Sequence, residues 1–279
     1  MKKRSFLSRL HTNGTYYLVG ALLLLLGVPL YQFLVLIPQG YNDALAATSR
    51  GHFIAYLAWI GNHEVQFIGY RALLAIAFAL LLSLPFTLFR IIVAQEVLGR
   101  EEDEEGQGED EEEGSEETEQ TDKTESTATL NWRGKGFAVL AAWGGLFGII
   151  LYILGIVAST IYLASVGAQF IASKPGEAAT TIQAILSIIT NTAGGGLLAL
   201  SCLFFGAMIA RSGIKLWPGI WVAFGYMALA LAALFSGSAV EVATAPTLGQ
   251  AALTTPAILL FALWVLWFGW MLVRLKPEE

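Results

Sequence analysis

The 279-residue chain has one cysteine, three histidines and almost no charge inside its apolar stretches. Cys202 stands alone, so there is no disulfide framework and no thiolate metal cluster. No G-x-x-x-x-G-K-[ST] loop is present, which excludes an ATPase of that class but not the permease partner of one. An H-E-x-x-H zinc site and a G-x-S-x-G elbow are also missing, and no span carries the histidines that haem needs. The period-2 alternation of a membrane barrel is absent as well. These gaps speak against catalysis, and the reading is of a chain with no cofactor, no resident metal and no nucleic-acid partner.

What is present is apolar length. Hydrophobic residues make up 56% of the chain and its mean hydropathy is +0.62, too apolar for a surface that must meet water. A hydrocarbon core of about 30 Å takes about 20 helical residues to cross. Six runs reach that length: 17–37, 68–89, 137–162, 185–210, 217–235 and 257–273. In lipid each must be helical, because a lone strand would leave its backbone polar groups unpaired. The expected fold is therefore an all-α, polytopic bundle of six transmembrane helices forming a single membrane domain.

The cations orient it. Thirteen of the 16 Lys and Arg residues precede the first run, follow the last, or lie in the second-to-third and fourth-to-fifth connections. Only Arg50, Arg71 and Lys174 fall on the other side, so the positive-inside rule puts both termini in the cytoplasm and the chain in an inner (plasma) membrane. The first run is too long for the h-region of a signal peptide and reads as a retained anchor.

From Glu101 to Glu125 there are fifteen Asp or Glu and one Lys, a local charge of −14 in a chain of net charge −6, leaving +8 elsewhere. Such a stretch cannot bury enough apolar surface to offset its ordering entropy, so 99–130 is expected to be a disordered, acidic cytoplasmic loop. An EF-hand register beginning at Asp103 fails, since position twelve is Gly114 where a bidentate Glu is needed. The loop's partners would be cations or a basic protein. The helix before it is expected to run on through Ile91, Ile92, Val97 and Leu98 as a short amphipathic extension at the inner surface.

Two neighbourhoods are candidate sites. An outer interfacial helix is expected over 44–61, with Phe53, Tyr56, Leu57 and Ile60 on one face and Trp59 as an anchor. It gathers Arg50, His52, His63, Glu64 and Arg71, a set able to bind an anionic headgroup, a small ligand or a metal; the plainer alternative is interfacial polar residues pairing locally. Arg71 stands out because charge within a span costs about 2.5–3.5 kcal/mol on insertion scales. In the fourth run, Thr190, Asn191, Thr192, Gly194, Gly195 and Gly196 interrupt the apolar helix. That break is either an unwound ligand contact, as in transporters, or a close helix contact with Gly144 and Gly148 of the third run. Pro29 and Pro85 kink the first two helices. Trp217, Trp221, Trp264, Trp267, Trp270 and Met271 read as packing and interface anchors.

The last third carries Ala210-Arg211-Ser212-Gly213, a turn through Leu216-Trp217-Pro218-Gly219, and a Leu/Trp helix closing at Arg274. This resembles bacterial multi-pass membrane proteins of families of unknown function, and the resemblance implies a six-helix bundle rather than an activity. Two functional readings follow, the first the leading one and the second its alternative. One is a non-enzymatic scaffold or accessory subunit, in the bilayer with other membrane subunits. The other is a permease or secondary transporter for a neutral or amphipathic small molecule. A lipid-modifying enzyme using His63 and Glu64 is a third and weaker class, since no further acid and base residues accompany them.

Overall fold

The computed structural model describes residues 2–49, 52–96, 135–170, 178–244 and 252–275, and among these every regular element is helical. Six helices are long and apolar enough to cross a membrane: α1 (Ser8–Gln39), α4 (Glu64–Glu96), α5 (Gly136–Gln169), α6 (Thr180–Ile214), α7 (Gly219–Thr244) and α8 (Thr254–Arg274). Two short helices, α2 (Tyr41–Ser49) and α3 (Phe53–Asn62), lie between α1 and α4. The protein is thus multi-pass and all-helical.

Each helix outruns the apolar stretch that predicts it, except at one end. The fifth run was expected from 217, but Trp217 is extended (φ −121°, ψ 137°) and α7 begins at Gly219. Pro218 explains the shift: it restricts the residue before it to extended backbone and sits where a helix starts. At its far end α7 continues to Thr244, past the apolar limit. Polar residues are carried there by partners, for Ser238 and Thr254 of α8 share a 2.7 Å hydrogen bond and the Glu241 carboxylate accepts the N–H groups of Ala252 and Leu253 at 2.9 and 3.2 Å. Those are donors left open at the start of α8.

The single interfacial helix expected over 44–61 is replaced by α2 and α3. Nor does α3 simply float: Tyr56, Leu57, Trp59 and Ile60 are buried, and a side chain at Gly167 of α5 would meet Ile60 and the α3 backbone at 3.0–3.1 Å. Trp59 is tied inward by donating Nε1–H to the Gln39 carbonyl at 2.7 Å. Arg50, Lys174 and the acidic segment 99–130 lie outside the described residues, as do Val97 and Leu98. The helical extension is described through Glu96, and it is held to the α6 end rather than lying free. Gln95 donates to the Leu216 carbonyl at 2.9 Å, and Glu96 accepts from Ser212 at 3.0 Å.

Both proline kinks are absorbed locally. Around Pro29, α1 has two wide π-helical turns, Leu23–Gly27 and Gln32–Leu36. Before Pro85, α4 tightens instead, and the Leu84 N–H takes the Leu81 carbonyl at 3.0 Å. That is the carbonyl Pro85 has no N–H to bond.

Both ends of the described chain meet at one end of the bundle, where His11 Nε2–H donates to the Leu275 carbonyl at 2.8 Å. We call this the terminal end. There α1 and α8 interlock, since a side chain at Gly14 or at Gly269 would strike the other helix at 2.9 Å. Nearby, Thr87 of α4 accepts from Asn13 at 3.1 Å and Tyr17 at 2.7 Å. The core is aromatic: Phe224 of α7 stacks on Trp264 of α8 at 4.7 Å and 8°, and Trp264 Nε1–H reaches the Phe224 carbonyl at 3.2 Å. Trp264 and Trp217 are buried, whereas Trp270 is an exposed anchor beneath Arg274, whose guanidinium lies 4.1 Å from its ring centre.

Beyond Gly27 the close packing of α1 against α8 gives way to packing of α1 on α4. The two helices therefore frame a wedge at the opposite end, and this wedge holds the site.

Candidate functional site

A cavity of about 220 Å³ fills the wedge. Its aliphatic lining comes from Leu24 and Val28 of α1, Leu74 of α4, Leu186 of α6 and Leu259 of α8. Interspersed with these are Gln32, Tyr70, Arg71, Tyr152, Ser159 and a stripe of α6, Gln183, Ser187, Thr190 and Asn191. The stripe follows from spacing: positions 183, 187, 190 and 191 share one face at helical period. Counted from the start of its helix at about 1.5 Å per residue, Arg71 lies about 10 Å deep and Asn191 about 16 Å. The cavity thus runs from the end opposite the termini to near the middle of the spans.

Among the described residues Arg71 is the only charged side chain lining it. Its Nη2 donates to Ser159 Oγ at 2.9 Å, Ser159 donates in turn to the Ile156 carbonyl at 3.0 Å, and the guanidinium carbon lies 5.6 Å from the Phe67 ring centre. Nε of Arg71 is buried without a partner, and so is Oε1 of Gln183. Unpaired buried polar atoms cost about 1–3 kcal/mol each, so this lining is open to a further donor and acceptor. Asn191 is fixed from both sides, its Oδ1 accepting from Tyr152 at 3.3 Å and its Nδ2 donating to Ser187 Oγ at 3.3 Å.

Two positions that the sequence singles out separately, Arg71 and Asn191, therefore share one cavity. The glycines do not join them. The helix is not unwound at 194–196; the irregularity is a π-helical segment, Ile188–Gly194, after which α6 is helical up to a kink at Gly213 (φ 58°). Gly194 packs on Gly148 and Tyr152 of α5, where an added side chain would lie 3.3 Å from the Gly148 carbonyl and the Tyr152 N–H. Gly195 faces Phe235 at 4.0 Å, and nothing approaches Gly196 within 4 Å. The hydroxyl of Thr190 donates to the Leu186 carbonyl at 2.7 Å, a back-bond of the kind that bends helices.

The outer histidine set does not converge. His52 and Glu64 are exposed, and His63 stacks on Trp59 at 4.9 Å with its Nδ1–H on the Trp59 carbonyl at 3.0 Å. Among the described residues no group of three His, Cys, Asp or Glu side chains could hold a metal. Glu64, in the first turn of α4, suits the positive end of that helix.

Sequence reasoning passes over Gln32, Tyr152, Ser159 and Gln183. Gln183 precedes the apolar run that starts at 185, so counting runs excludes it. Tyr152 and Ser159 are seven apart on α5, a one-face spacing that carries weight only once α6 is known to lie opposite.

The fold and the cavity define a multi-pass membrane protein with a polar pocket buried among its spans. No family model, curated protein or solved structure matches the chain.

Proposed function

We propose that this protein is a permease-type membrane protein that takes a small amphipathic molecule into the cavity between α1, α4, α5, α6 and α8. The observation that carries the reading is the cavity's mixed lining, in which aliphatic side chains alternate with polar ones that include unpaired buried atoms. A scaffold needs no such cavity, and polar residues within spans are costly unless used. The positive-inside distribution supports cytoplasmic termini in a plasma membrane, with the cavity facing outward and α2 and α3 at the outer boundary.

The test is saturable binding to protein in phosphatidylcholine nanodiscs, using radiolabelled laurate and 1-dodecanol as probes and subtracting uptake by empty discs. At least one probe should bind at about one per chain. Ser187→Trp, which fills the cavity from α6, should abolish that binding with the thermal midpoint kept. Absence of saturable binding for both probes, or full binding by Ser187→Trp, would overturn the reading.

A further inference from the structure

We infer that the ligand is a single-chain amphiphile whose oxyanion head sits on Arg71 and whose chain leaves between α1 and α8 along the lipid-facing side of α1. The inference rests on the cavity being a ligand site, and three observations carry it further.

The first is charge. Among the described residues no carboxylate lines the cavity to balance Arg71. Its aromatic surroundings do not balance it either: burial pushes the phenols of Tyr41 and Tyr56 above their ordinary range despite the nearby guanidinium, so both stay neutral. Of the guanidinium's five N–H donors one is used, on Ser159. A planar fork of this kind matches a carboxylate or a phosphate, and it gains most in a site shielded from water.

The second is size. At about 220 Å³ the cavity is smaller than the roughly 300–1,000 Å³ of pockets that enclose whole drug-sized ligands. It holds a head and the first few methylenes.

The third is continuity. A second, more open hollow of about 430 Å³ lies on α1 and is lined by Leu25, Leu26, Pro29, Leu30, Gln32, Phe33 and Ile37. Pro29 and Gln32 belong to both hollows. Pro29 stands between the two wide π-helical turns of α1 and Gln32 opens the second, where α1 has parted from α8. A chain anchored at Arg71 can pass Gln32 and lie against Leu26, Leu30 and Phe33, still in contact with lipid. No two-chain lipid is needed to fill this path, and the ligand reaches the site sideways from the bilayer.

The experiment is displacement of radiolabelled laurate from the same nanodiscs by unlabelled laurate, dodecyl phosphate, 1-dodecanol and acetate. Laurate and dodecyl phosphate distinguish a free fatty acid from a phosphate-headed lipid as the source of the oxyanion, and displacement by either one supports the inference. The anionic competitor should act at concentrations about tenfold or more below those of dodecanol, the lower end of what a hydrogen bond to a charged group contributes. Arg71→Gln, which keeps a donor for Ser159 and removes charge from a span, should erase that preference; Arg71→Lys should restore part of it. Acetate should not displace the label at the same concentrations, because it has no chain for the α1 hollow. An equal anion preference in the wild type and Arg71→Gln, or dodecanol matching both anions, would overturn the head assignment. Acetate matching laurate would overturn the chain path. If neither anion is preferred over dodecanol, while dodecanol binds saturably and loses that binding in Ser187→Trp, the cavity reading stands while the head assignment falls. If no probe binds, the cavity reading itself has failed.

Discussion

Arg71 and the tyrosines around it are where single residues decide most. A guanidinium about 10 Å inside a span is tolerated when it is bonded and surrounded by polarisable groups, and here Ser159 and Phe67 supply part of that. Tyr41 adds a packed aromatic set, with its ring 5.0 Å from Trp59 and 6.1 Å from Tyr70. Burial raises the phenols of Tyr41 and Tyr56, most strongly Tyr41. Below the ordinary phenol range near pH 10 both are neutral in the folded and the unfolded chain, and their contribution is intact. As pH rises through that range the unfolded chain releases protons that the folded chain keeps, so stability falls. The thermal midpoint of the wild type, followed by tryptophan fluorescence in detergent, should therefore drop between pH 9 and pH 11. The drop should be shallower in a Tyr41→Phe, Tyr56→Phe double variant, which has nothing to ionise at those positions. Equal slopes in the two proteins would remove these residues from the account.

Among the elements, the contact of α5 with α6 shapes the cavity floor, and it depends on the absence of side chains. A methyl at Gly155 would overlap the Thr190 side chain, whereas one at Gly196 meets nothing within 4 Å. The two glycines should respond with opposite signs. Gly155→Ala should lower stability by about 1–3 kcal/mol, the range for overpacking a core, and displace Asn191 along with Thr190. Gly196→Ala should be neutral or stabilising by up to about 1 kcal/mol, from helix propensity alone. Thermal midpoints of the two variants in one detergent decide it, and a shared sign would contradict the packing described. The glycine run shows how far sequence reaches. The sequence left it open between an unwound ligand contact and a close contact with Gly148, because small residues at four-residue spacing suit close packing, and of the three glycines only Gly194 makes that contact. The helix count was legible: apolar length alone sets it. The cavity was not legible, because Gln32, Arg71, Tyr152 and Asn191 come from four helices, and only the crossing of α1 and α8 at Gly14 and Gly269 opens the space between them.

For the molecule as a whole, the two ends of the bundle differ in what they tie down. The terminal end is laced by His11 to Leu275, Gln95 to Leu216, Glu96 to Ser212, and the Asn13, Tyr17 and Thr87 set. Nothing comparable joins α1 to α8 among the described residues at the other end, where the cavity lies. A bundle closed at one end and parted at the other admits a ligand from one side only, so the sidedness of the chain decides which face of the membrane the ligand comes from. The orientation proposed above, from the positive-inside rule, puts the laced end in the cytoplasm. Cysteine accessibility tests this directly, since Cys202 is the sole cysteine, is buried and can be replaced by Ala to give a blank background. In that background, Asn62→Cys at the exposed end of α3 should react with a membrane-impermeant maleimide in intact bacterial cells. Ser8→Cys, exposed at the laced end, should react only after the cells are opened. The opposite pattern would turn the cavity toward the cytoplasm and make the inner leaflet the source of its amphiphile, while labelling of both sites in intact cells would break the six-span topology itself.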